Sequence, residues 1–286
     1  MQSKNPVFAR SEGFNGRGST ATSSPADWRI DLDGATHGAQ PTPGVVDTDR
    51  MTLSSVIEKT AITLGLVVVA AAVTWFITGD LAATDSAEQQ RNMALLGGLA
   101  MVGVFGGLAL SLVNSFKKVV SPPLVLAYAA VQGIFVGALS KMIAFYVVGD
   151  PGVVFQAVLG TFVAAGATLA AYKFFNIQVT DKFRKTMGIA LVSVFGIMLV
   201  NFGLSMFGVL ESGGLRGFNT LGLVVSIGLA VLAIFTLILD FDQVERGVEA
   251  GLPQRESWRA AFGLTVTLVW LYIELLRILA IFYSND

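Results

Sequence analysis

The chain has 286 residues, of which 53% are hydrophobic and only 14% charged, with a formal net charge of −1 and no cysteine. Soluble domains carry about 25% charged residues, so a soluble globular fold is excluded, and the near-neutral balance argues against a nucleic-acid-binding face. The missing thiols remove disulfides, thiolate nucleophiles and Cys-ligated metals, and the single His37 lies in a polar tail, which leaves no His cluster and no Ser-His-Asp triad inside a membrane.

Residues 1–50 are polar and rich in turn formers, as in GFNGRGSTATSSPADW. They have too little apolar surface to offset the entropy of ordering, so a disordered cytoplasmic tail is expected. The tail has no apolar core of a secretory signal, and NPVF at Asn5 to Phe8 is a short candidate docking motif. Residues 51–286 form the membrane domain. Seven apolar runs, near 56–78, 93–114, 123–145, 152–173, 186–209, 219–240 and 260–282, are each about 20 residues long, enough to cross a hydrocarbon core. All eight prolines fall in the tail, in connections or at helix starts, as expected where backbone groups have no water to turn to.

Fifteen of the nineteen Lys and Arg residues fall in the tail and the even-numbered connections. The positive-inside rule then puts the N-terminus in the cytoplasm and, with an odd number of spans, the C-terminus outside. A cell (plasma or inner) membrane is the expected location. Gly98, Gly103, Gly107, Gly133 and Gly137 lie at spacings that let helices approach closely. Lys141, near the outer end of the third run, is expected to snorkel.

The last hairpin holds most of the charge that needs a reason. Asp240 closes the sixth run, where a carboxylate opposes the helix dipole. Asp240 and Asp242 lie about 200° apart around a helix, so one is expected to face the bundle and the other water. Glu274 lies about 14 residues, or roughly 21 Å, into the seventh run. Arg277 follows three residues later on the same face, where an internal ion pair with Arg277 snorkelling outward is expected. A cation site at Glu274 is the alternative.

LDFDQ at the end of the sixth run, ELLRIL in the seventh, and the seven-run pattern with an inward N-terminus resemble the Bax inhibitor-1 family, including its bacterial YccA-like members. The resemblance runs from about residue 50 to the end. It implies an all-α membrane fold with six helices surrounding a central seventh, and a pH-sensitive calcium leak latched by two membrane aspartates and a basic group near the second span. Carried over, the first aspartate is Asp240 and the basic group is Lys117 or Lys118, while the position of the second aspartate is held by Thr267. A hydroxyl cannot share a proton as a carboxylate pair does, but it can hydrogen-bond to Asp240, as could Thr265. The gate and pH-sensing set is therefore Asp240, Asp242, Thr267, Lys117 and Lys118, in a non-enzymatic protein with no cofactor. Its expected partners are the lipid bilayer, Ca²⁺ as the permeating ion, and other membrane proteins if the bundle instead serves as a scaffold for a quality-control protease.

Overall fold

Thr52 starts the first helix by accepting the Ser55 amide at 3.1 Å, while the Ser55 hydroxyl accepts the Thr52 amide at 3.2 Å. This reciprocal cap satisfies donors that a helix start otherwise leaves open. The computed structural model describes residues 50–81 and 84–284, and these belong to one compact unit, Asp47–Asp286. Asn5 to Phe8, His37 and the rest of the polar tail up to residue 49 lie outside the described residues.

The helices are α1 (Leu53–Ile77), α2 (Ser86–Phe116), α3 (Pro122–Met142, continued by a π-helical stretch Ile143–Val148), α4 (Gly152–Phe174), α5 (Asp181–Met206), α6 (Thr220–Glu249) and α7 (Glu256–Ser284). A short 3-10 helix, Glu211–Arg216, links α5 to α6. Asp85, Thr180 and Asn219 cap α2, α5 and α6 through their side chains, and Pro122 and Pro123 fill the first positions of α3, where a missing N–H costs nothing. Among the described residues seven helices are long and apolar enough to cross a membrane, so the chain is a multi-pass, all-α membrane protein.

The spans run further than the apolar runs. The sixth continues to Glu249, so Asp240 sits well inside a helix rather than at its C-terminus. The expected conflict with the helix dipole therefore does not arise at Asp240.

The last helix is the most enclosed: 61% of its apolar window is buried, against 11% for α5. It packs on α1, α3, α4 and α6. α2 leans chiefly on α3, and α5 on the 3-10 segment and α6, so α7 has four principal neighbours rather than a ring of six. α7 and α1 run side by side in the same direction. Met51 donates its amide to the Leu252 carbonyl at 2.7 Å, Ser55 and Ser257 share a hydrogen bond of 2.6 Å, and Thr63 and Thr265 share one of 2.7 Å. Gly133 and Gly137 let α3 lie directly on α1: a Cβ at either would stand 2.5 Å from the carbonyl oxygen of Val67 or Ala71. A Cβ at Gly103 would run into the backbone and Cβ of Phe135, one at Gly107 would meet only the side-chain oxygen of Gln132, and Gly98 has open space beside it.

Candidate functional site: two polar clusters at opposite ends of the bundle

The hairpin end of the bundle carries the α6–α7 turn. There α6 and α7 run antiparallel, which brings Asp240 opposite Thr267, and the Thr267 hydroxyl donates to Asp240 Oδ2 at 2.6 Å. Among the described residues no cation pairs with Asp240. A small cavity of about 80 Å³ opens beside it, lined in part by Gln243, Glu256 and Arg259. Arg259 is held elsewhere, donating from Nε to Glu256 at 2.7 Å and from Nη2 to the Lys118 carbonyl at 2.8 Å. Lys117 and Lys118 are exposed, so the structure does not bring either ammonium group to Asp240. What the Lys117–Lys118 loop contributes is a backbone acceptor for Arg259, a residue that hydropathy alone leaves among ordinary turn charges.

Asp242 departs from the expectation that one of the two aspartates meets water. It is buried and accepts from Arg184 at 2.7 Å and from Arg246, one turn on, at 2.9 Å. Arg246 also donates to the Val179 carbonyl at 3.2 Å. Beside them the Tyr172 hydroxyl donates to Glu245 at 2.6 Å. Asp242 thus ties α6 to the start of α5, while Asp240, two residues before it, faces α7. Thr265 faces α1, pairing with Thr63 rather than Asp240.

At the C-terminal end the expected Glu274–Arg277 pair is replaced by another. Glu274 is 1% exposed, and Arg216 reaches in from the 3-10 segment to place Nη1 at 2.7 and 2.9 Å from its two carboxylate oxygens. Trp270 adds an indole donor at 3.3 Å. Arg277 does not snorkel: it is buried, donates to the Arg216 carbonyl and to Ser226 at 3.4 Å, and lies over the Phe218 ring. Lys141 is likewise buried. Its ammonium donates to the carbonyls of Trp75 (2.8 Å) and Gly79 (2.5 Å) and to the Thr78 hydroxyl (2.8 Å). A cation satisfying the open carbonyls at the end of α1 is favoured by the helix dipole, so snorkelling loses to acceptors already within reach.

Among the described residues no group of three or more His, Cys, Asp or Glu side chains is placed to hold a metal ion.

A family model described as Bax inhibitor 1 like matches residues 5–284. The chain belongs to the Bax inhibitor-1-like family. The match starts well before residue 50, so the family likeness takes in most of the polar tail as well as the helices. No curated protein matches the chain. Within this family assignment, the position the resemblance gives to a second aspartate is Thr267, and the hydrogen bond it makes to Asp240 is the contact between α6 and α7 at that level.

Proposed function

We propose that this family member is a non-enzymatic protein of the cell membrane that passes or regulates cations, Ca²⁺ being the expected ion. Its N-terminus is cytoplasmic, its C-terminus outside, and Asp240 is its gating carboxylate. One observation carries the reading. Asp240 stands between two membrane helices with a hydroxyl, not a cation, as its partner among the described residues. A carboxylate at that depth is costly unless it takes up a proton or a cation, so its occupancy changes with pH and with the ions that reach it. The cavity beside it connects it to Gln243, Glu256 and Arg259 at the hairpin end. A site with few oxygen ligands suits a hard cation that must also leave. Thr267 positions the carboxylate, and Arg259, anchored on Glu256 and the Lys118 carbonyl, is the nearby cation that competes with an entering ion.

The test is Ca²⁺ flux into liposomes holding the pure protein, measured across pH. Wild type leaks above empty liposomes, and its flux changes as Asp240 takes up a proton. Asp240→Asn is uncharged at every pH, so its flux is flat across the same range and meets the wild-type curve at the acid end. Thr267→Asp restores a carboxylate pair and steepens the pH response. If no variant passes ions above empty liposomes, the cation reading is wrong and the scaffold reading replaces it.

A further inference from the structure

The cluster at the C-terminal end is not electrically balanced. Two guanidinium groups, Arg216 and Arg277, meet there, and among the described residues Glu274 is the one carboxylate in contact with either. Arg277 is enclosed by Ser226, the Arg216 carbonyl and Phe218. Arg216 is not: both its hydrogen bonds to Glu274 come from Nη1, which leaves the Nε–Nη2 edge without a partner among the described residues. That edge is a two-donor fork matched to the paired oxygens of a carboxylate or phosphate.

Arg216 borders a cavity of about 730 Å³ between α5 and the α6–α7 pair. Its α5 wall is a single helical face that includes Leu191, Met198 and Ser205, spaced seven apart. This wall is about 21 Å long at the rise of an α-helix. Polarity is graded along it. Leu191 and Met198 are apolar, whereas at the other end the Ser205 hydroxyl is buried with no hydrogen-bond partner and Arg216 and Glu274 stand beside it. An excess cation and an orphan hydroxyl at one end of an apolar slot describe an amphiphile's site.

We propose that this cavity binds an anionic membrane lipid, with its two-oxygen headgroup on the Nε–Nη2 edge of Arg216 and an acyl chain along the α5 face past Met198. The headgroup neutralises the extra positive charge, Ser205 donates to it, and the chain fills space that α5 leaves open. The site lies at the opposite end of the bundle from Asp240 and does not depend on the cation reading.

Trp270 lines the cavity and reports on it. The full chain is placed in nanodiscs of unlabelled phosphatidylcholine and titrated with bromopalmitate, brominated phosphatidylglycerol or brominated phosphatidylcholine. Quenching by the cavity is the part lost in Trp270→Phe. The expected result is saturable quenching by one or both anionic probes at about tenfold lower concentration than by the zwitterionic one, the worth of one charge-assisted hydrogen bond. Bromopalmitate alone identifies a fatty acid, brominated phosphatidylglycerol alone a phospholipid, and both together the shared headgroup chemistry. Arg216→Lys keeps a cation for Glu274 but loses the fork and weakens anionic quenching. Val194→Phe, on the same α5 wall, blocks the slot without touching the ion pair or adding a tryptophan, and carries the test if Arg216→Lys does not fold. Equal quenching by all three probes, or anionic quenching unchanged in Val194→Phe, overturns the proposal.

Discussion

Asp240 and Glu274, carboxylates at opposite ends of the bundle, are held in opposite ways. At the hairpin end Asp240 is a carboxylate held by a hydroxyl, with no cation paired to it among the described residues. At the C-terminal end Glu274 is gripped by the Arg216 guanidinium, with a second one, Arg277, docked on the Arg216 carbonyl. Losing a hydroxyl's hydrogen bond to a carboxylate costs about 1.5–3 kcal/mol, whereas stripping a partner from a buried ion pair costs about 3–5 kcal/mol. The Asp240–Thr267 contact can therefore rearrange at lower cost, while the Glu274–Arg216 pair fastens the α5–α6 connection to α7.

The comparison breaks most directly at Glu274. Glu274→Gln leaves Arg216 and Arg277 facing each other without a counter-charge and is expected to lower stability in detergent by about 4 kcal/mol, read as a large fall in the thermal unfolding midpoint. Lys141→Met comes next. It opens the α1 terminus by removing a cation from three acceptors, with an expected loss of about 2 kcal/mol in the same assay. A loss there far smaller than at Glu274 would show that the C-terminal end owes its strength to the 3-10 plug rather than to buried cations in general. The smallest effect belongs to the hairpin end. Thr267→Val is expected to cost about 1.5 kcal/mol yet to alter Ca²⁺ flux, whereas a stability loss as large as that of Glu274→Gln would erase the contrast.

The number and type of the helices were legible because hydrophobic residues come in blocks of membrane-spanning length. Their ends were less so. The apolar run stops at Leu239, but the helix does not, because Asp242 and Arg246 sit one turn apart and pair with each other, which supports helix beyond the apolar core. The contact of Asp240 with Thr267 could be anticipated from the family resemblance. The Glu274 partner could not: Arg216 reads as one more charge in a connection, and only the 3-10 turn, with Gly214 at φ +58°, carries it back into the bundle. Lys141 and Arg277 show the same gap. Hydropathy says how costly a charge is at a given depth, but not whether carbonyls of another helix stand within reach of it.

The hydroxyl ladder between α1 and α7 also decides which part of the hairpin end can move. Ser55–Ser257, Thr63–Thr265 and the Met51–Leu252 backbone bond act as rungs that lock these two parallel helices into one beam. Any widening between Asp240 and Thr267 must then be taken up by α6, swinging against a fixed post. Because Arg184 grips α6 through Asp242 only two residues from Asp240, the swing pulls on the start of α5. The least enclosed helix in the bundle thereby becomes the lever on which a partner or the bilayer itself can push.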